Sequence, residues 1–290
     1  MVKKFAESIQ MVENKWLNSL YFQSKRIFSN QWIPSHDETH SFRAWTFAKE
    51  LMGAMDDAGI EVSVSQMEQV IIAVFFHDTG MIDDPGPSHG LISRVNTEQY
   101  LATKPGLNPG NMKDLLEAVT HHDDKTYRFD PDLKTGKGLN ISHILGAADD
   151  MDAFAGIGAY RFIEIYLIRH MPVQAIPDKA MSSLDDRFMH IEKNYGFLHA
   201  IVQKHKRRYQ LARTFFEDMK QELSYGSGYA IHVLEIIRQS VLHDKNRPGS
   251  SDMWFRKKTQ DPATIAFFKV IQREFISMHK NLPDPQHGHQ

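Results

Sequence analysis

Apolar residues recur at intervals of three and four along most of this chain, and no segment shows the two-residue alternation of a half-buried strand. That periodicity restricts the chain to an all-α fold. Over residues 5–29 the stripe is Phe5, Ile9, Val12, Trp16 and Leu20. Ser35 or Asp37 is placed to cap a second helix, with Phe42, Trp45, Ala48 and Leu51-Met52 on its inner side. Ser65 followed by Glu68 reads as a capping box for a helix ending at His77. The turn DDPGPSHG precedes a helix near 90–103, KPGLNPGN interrupts the chain again, and NMKDLLEAVTHH forms the next helix. Residues 123–140 are polar and contain glycine, which suits a long loop of the kind that serves as a lid. A helix then begins near 141, carries ILGAADDMDAF and continues through GIGAYRFIEIYLIRHM to Pro172. Three more are expected over 183–223, 227–243 and 261–280, before a frayed tail from about 283 whose His287 and His289 are not ligand candidates.

The 290 residues suffice for a sizeable core, and Gly226-Ser227-Gly228 divides residues 1–225 from a helical C-terminal extension over 226–290. A net charge of −2 calls for neither nucleic acid nor an anionic membrane, and the basic run Lys204, Lys206, Arg207 and Arg208 reads as the outer face of a helix. No apolar run approaches the length of a membrane span. Glu7 and Glu13 interrupt the place where a secretion signal would be apolar. The absence of cysteine excludes disulfides and thiolate metal sites and makes the cytoplasm the expected compartment. With sixteen histidines and no cysteine, a transition-metal site here has to draw on His, Asp and Glu.

Residues 71–81, IIAVFFHDTGM, place two strongly hydrated side chains directly after a buried-looking helix. A polar helix end or a His–Asp hydrogen bond is the simplest account; a metal site is the sharper one, and it needs partners elsewhere. Five places qualify: His40 in HDETHSFRAW, His77-Asp78, His89 in PSHGLIS, His121-His122 in VTHHDD, and Asp149 in AADDMDAF. Each alone reads as a satisfied core histidine or a helix cap. Their order carries the information.

In that order the chain resembles the HD superfamily of metal-dependent phosphohydrolases, helical bundles whose ligands run His, His-Asp, Asp. The family's His-x-x-Arg-Val is matched by His40-Ser-Phe-Arg43-Ala, its HDxG by His77-Asp78-Thr79-Gly80, and its D-A-D-x-L-D-A by the stretch around Asp149. The match covers roughly residues 30–215. It implies an HD-type domain over 1–225 with His40, His77, Asp78 and Asp149 as ligands. Two imidazoles and two carboxylates suit Fe, Mn, Ni, Co or Zn, and Mg less well. Bimetallic members carry further histidines, which His89 and the pair His121-His122 resemble. A helix separates neighbouring residues by about 100°, so His121 is the favoured ligand of the pair and His122 a second ligand or a supporting group. Two divalent ions are the favoured reading, with Asp78 able to bridge them.

The resemblance departs at Met81, where the cyclic-dinucleotide phosphodiesterases and the inositol-cleaving oxygenases of the superfamily place Lys, and at DDKTYRF, where the former have Gly-Tyr-Pro. Cyclic di-GMP is therefore not indicated. The expected activity is hydrolysis of a phosphate ester, of a nucleotide or related small molecule, by metal-activated water. Asp78 would hold that water, and Arg43 and Lys125 would offset charge on phosphorus. Arg128 and Arg94 are weaker candidates for that task. Asp152, one turn after Asp149, is either an orienting group or a cap. Gly156 and Gly158 in AFAGIGAY mark close helix packing rather than a phosphate loop. Two other readings stay open: a mixed-valent di-iron oxygenase on the same scaffold, and a non-catalytic metal- or nucleotide-binding protein. A homodimer through exposed C-terminal aromatics, Trp254 and Phe267-Phe268, is a further expectation.

Overall fold

The buried stripe Ile9, Val12, Trp16 and Leu20 seats α1 (Val2–Phe28) against α2 (Glu38–Asp57) and α3 (Val64–Phe76). The structure, a computed structural model, describes residues 2–29, 35–104, 109–124, 132–135, 139–244 and 259–279. Every regular element among the described residues is helical. Lys125 and Arg128, Trp254 and the tail histidines lie outside the described residues.

Asp37 caps α2 by accepting a hydrogen bond from the Thr39 amide (2.9 Å). The capping box of α3 lies two residues before the expected one. Ser63 Oγ accepts from the Gln66 amide (3.2 Å) and Gln66 Oε1 accepts from the Ser63 amide (2.9 Å). Glutamine serves at that position as well as glutamate does. Ser65 and Glu68 are tertiary ties instead: Ser65 donates to the Pro109 carbonyl and Glu68 accepts from Lys15. α4 (His89–Ala102) and α5 (Met112–Thr120, capped by the Asn111 side chain) follow.

The helix expected from 141 to Pro172 is two helices, α6 (Ile141–Asp152) and α7 (Ala155–Ile168). The chain breaks where Ala155 takes a left-handed φ of 64°, a conformation that costs a residue bearing a Cβ. The start of α7 is fixed by Glu274, which accepts from the Ile157 amide (3.0 Å). A Cβ on Gly156 would lie 3.1 Å from Ile271 Cγ1, so that glycine marks close helix packing. The segment expected as one helix over 183–223 is likewise a hairpin. α8 (Ile176–Tyr195) and α9 (His199–Tyr225) turn through Gly196-Phe197-Leu198, and Phe188 stacks on Tyr209 across them at 4.6 Å.

Gly226, with φ of 76°, ends α9 in a left-handed cap. α10 (Tyr229–Gln239) runs into a π-turn at Ser240–Asp244, and α11 (Pro262–His279) returns across α7 and α10. Val233, Ile237, Phe268 and Ile271 join the same hydrophobic core as the N-terminal helices. This corrects the expectation of exposed aromatics for Phe268, which is buried; Phe267 is partly buried and stacked on Phe215 at 4.7 Å. No helix among the described residues is long and apolar enough to cross a membrane.

Candidate metal centre

Helix ends deliver the cluster. His77 is the C-cap of α3 and Asp78 leaves the helix at φ −102°, ψ 3°, so two adjacent side chains converge on one point. His40 lies in the first turn of α2, Asp149 in the last turn of α6, His89 at the start of α4 and His122 just beyond α5. All six are buried.

Two groups of donor atoms form, and they share Asp78. In the first, His40 Nε2 lies 3.1 Å from His77 Nε2, and each lies 3.3 Å from Asp78 Oδ2. Asp149 Oδ1 completes it at 3.6 Å from His40 and 3.9 Å from His77. In the second, His89 Nε2 and His122 Nε2 are 3.0 Å apart and lie 3.6 and 3.1 Å from Asp78 Oδ1. Metal–nitrogen bonds of about 2.1 Å put neighbouring donors roughly 3.0–3.5 Å apart. The separations among His40, His77 and Asp78, and those of His122 from His89 and Asp78, fall in that range, while Asp149 at 3.6 and 3.9 Å and His89 at 3.6 Å from Asp78 stand slightly outside it. One carboxylate oxygen faces each group, the arrangement of a bridging ligand.

The outer nitrogens set the state of the inner ones. His77 Nδ1 faces the Val74 carbonyl (2.9 Å), His89 Nδ1 the Gly86 carbonyl (2.6 Å) and His122 Nδ1 the Val119 carbonyl (2.8 Å). His40 Nδ1 faces Asp152 Oδ2 (2.8 Å). A carbonyl or carboxylate can only accept, so each Nδ1 carries the hydrogen, and in the neutral ring Nε2 is then a lone pair. Four lone pairs and Asp78 thus converge in a buried space. A divalent metal fits this donor set; an apolar core does not.

A layer of charge surrounds the donors. Asp152 accepts from His40, from Arg43 Nε (2.8 Å) and Nη2 (2.9 Å), and from Arg161 Nη1 (3.0 Å). Arg161 Nη2 also reaches Asp149 Oδ1 (3.3 Å), while Arg187 Nη1 donates to Asp149 Oδ2 (2.9 Å) and to Asp150. Burial alone would push these carboxyls up. For Asp149, Arg187 and Arg161 outweigh burial, and for Asp152, Arg43 and Arg161 do, so both are held well below the carboxylate range.

Glu164 behaves oppositely. Fully buried in α7, it is pushed up to about 8 by burial, although the Ser35 hydroxyl and amide both donate to its Oε1. His36, whose Nδ1 is 3.0 Å from Ser35 Oγ, borders the cavity beside the cluster. That cavity, about 340 Å³, has Asp78, His89, His122 and Asp149 at its floor and α7 and α8 as walls.

The structure therefore brings together His40, His77, Asp78, Asp149, His89 and His122, and it revises two placements. His121, the favoured member of its pair, is the C-cap of α5 and belongs to neither donor group; His122, one residue further, is turned inward. Arg43 does not border the cavity, because its guanidinium is engaged by Asp152 and Thr39 behind His40. Among the described residues, the cations that do border it are Arg161, Arg169, Lys179 and Arg187. The signal for Arg161 and Glu164 was available: both interrupt the otherwise apolar run GIGAYRFIEIYLI, where a charge is buried and so has a partner or a task. Comparison of the chain with family models, with curated proteins and with solved structures found no match. The chemistry of the site has to be read from its own donors.

Proposed function

We propose that this chain is a metal-dependent phosphohydrolase of the HD type, using two divalent ions held by His40, His77, Asp78 and Asp149 and by Asp78, His89 and His122. The observation that carries this reading is the convergence of four imidazole lone pairs on the two oxygens of one carboxylate. Bound ions would supply Lewis acidity and a water of lowered pKa. The chain's own part is to fix the donors: Asp152 holds the His40 ring in the tautomer that presents Nε2, and Arg43 holds Asp152. Arg161 and Arg187, beside the floor, are placed to offset charge growing on phosphoryl oxygens. The cationic wall favours a phosphate ester over a neutral substrate of oxygenase chemistry.

The test is metal analysis of the full chain purified without chelator, together with p-nitrophenyl phosphate turnover under argon. Two ions per chain and metal-dependent turnover are expected. Asp78→Asn is expected to lose most of both ions and at least ~100-fold in rate. Full metal occupancy with undiminished turnover in that variant, or turnover that needs oxygen, would sink the proposal.

A further inference from the structure

We propose that the cavity selects a phosphomonoester dianion carried on a flat, apolar leaving group, and rejects monoanionic diesters. This inference rests on the phosphohydrolase reading and narrows its substrate class. Three observations support it.

The first is charge. Around the donors, Asp78, Asp149, Asp150 and Asp152 face Arg43, Arg161 and Arg187, so four buried carboxylates meet three buried or nearly buried guanidiniums, and further along the cavity Asp123 and Asp186 offset Arg169 and Lys179. Glu164 adds no charge near neutral pH, since its carboxyl is pushed up to about 8 by burial. Two divalent ions would turn a deficit of one negative charge into an excess of three positive. In a water-poor site an uncompensated charge is costly, and a dianion neutralises more of that excess than a diester monoanion does. Nor are the two guanidiniums at the floor saturated by their carboxylates: Nε of Arg161 and of Arg187 is buried without an acceptor.

The second is closure. Behind the floor, His40 and His77 are completely buried, and Asp152 and Arg43 fill the space beyond them. A phosphoryl group on the ions would find no space on the side of His40 and His77, so a second ester substituent could not lie there.

The third is the wall that this substituent meets. Between the floor and the exposed Arg169 and Lys179 at the mouth stand Met81, Phe162, Ile165 and Tyr166, all buried. Phe162 and Tyr166 lie 5.8 Å apart with their planes 31° from parallel, and the Arg187 guanidinium sits 6.0 Å from the Phe162 ring. This band has one hydroxyl, that of Tyr166, already paired with Ser183 Oγ (3.2 Å); Asp123, Lys179 and Asp186 line the cavity elsewhere. The band suits a ring. Met81, in place of a lysine, makes that side of the cavity apolar as well.

The test uses ligands whose P–C bond is not hydrolysed. Calorimetric titration of the metal-loaded full chain near pH 7 compares phenylphosphonate, which metal coordination draws into its dianion, with its monomethyl ester, a monoanion, and with methylphosphonate, which lacks the ring. Phenylphosphonate is expected to bind at least tenfold more tightly than either. Phe162→Leu, which removes the flat ring and keeps most of the volume, is expected to weaken phenylphosphonate several-fold and to leave methylphosphonate within twofold. Equal binding of phenylphosphonate and its ester in the unaltered chain would overturn the inference, as would equal effects of Phe162→Leu on both phosphonates. The two readings fail separately. Tight, selective phosphonate binding without turnover of any phosphate ester would overturn the hydrolase alone. Comparable turnover of p-nitrophenyl phosphate and bis(p-nitrophenyl) phosphate would overturn the selectivity alone.

Discussion

Glu164 is a carboxyl that the fold keeps protonated near neutral pH. Its neighbours are Ser35, His36 at 3.7 Å, Tyr160 one turn away, Asp37 and Arg161; burial is the largest influence on it and raises it to about 8. A carboxyl whose folded pKa lies above its unfolded one stabilises the fold below about pH 4.5, and that stabilisation is lost as pH rises through about 8. At 1.36 kcal/mol per unit, and allowing for relaxation around the ionised group, the loss amounts to roughly 2–4 kcal/mol. Glu164→Gln keeps an acceptor for Ser35 and cannot ionise. Its stability relative to the unaltered chain is expected to rise by that amount between pH 5 and pH 9, read from urea unfolding at both values; parallel profiles would refute the assignment. At this scale the sequence was partly legible. The order His40, His77-Asp78, His89, Asp149 marked residues that the fold brings together, through the family resemblance their local motifs carry. Arg43 was misplaced because a shared helix face does not say whether a side chain reaches the cavity or the ring behind it. Arg187 stayed hidden because its partners, Asp149 and Asp150, come from another helix.

Helix ends rather than helix faces set the second donor group. His89 opens α4, and the residue after it, Gly90, lies against the last carbonyl of α5: a Cβ there would come 2.3 Å from Thr120 O. Only a glycine lets the two helix ends approach this closely, and His89 and His122 project from them. Gly90→Ala is expected to push α4 from α5, to cost about 1–3 kcal/mol, and to reduce bound metal from two ions to one. The first group, carried on α2, α3 and α6, keeps its ion. His122→Ala gives the reference value for loss of the second ion, and metal analysis showing two ions retained in Gly90→Ala would contradict this account. Element boundaries also explain what periodicity could not reveal. The breaks at Ala155 and at Gly196 fall within continuous helical patterning, since apolar spacing persists across a short turn. The choice between His121 and His122 depends on the same quantity, the residue at which α5 stops.

Across the whole molecule, the charge around the centre is nearly balanced before any metal arrives. Four carboxylates sharing a buried site would otherwise repel one another, yet Arg43, Arg161 and Arg187 lie within hydrogen-bonding distance of three of them, and Asp78 lies among the imidazoles. The core that carries these helices is continuous from Ile9 to Ile271, so folding does not depend on the centre. The chelated chain is therefore expected to unfold in one cooperative transition, with metal acting as a ligand of the folded state. A site at a hundredfold excess of metal over its dissociation constant adds about 2.7 kcal/mol. At roughly 2–4 °C per kcal/mol for a chain approaching this size, one filled site raises Tm by roughly 5–10 °C, and a second adds to it. Thermal scans of chelator-treated chain over increasing Mn²⁺ are expected to show Tm climbing with the logarithm of free metal. A Tm indifferent to metal over a thousandfold range would deny the centre its ions. A chelated chain with no cooperative transition would show instead that the three arginines do not hold the carboxylates by themselves.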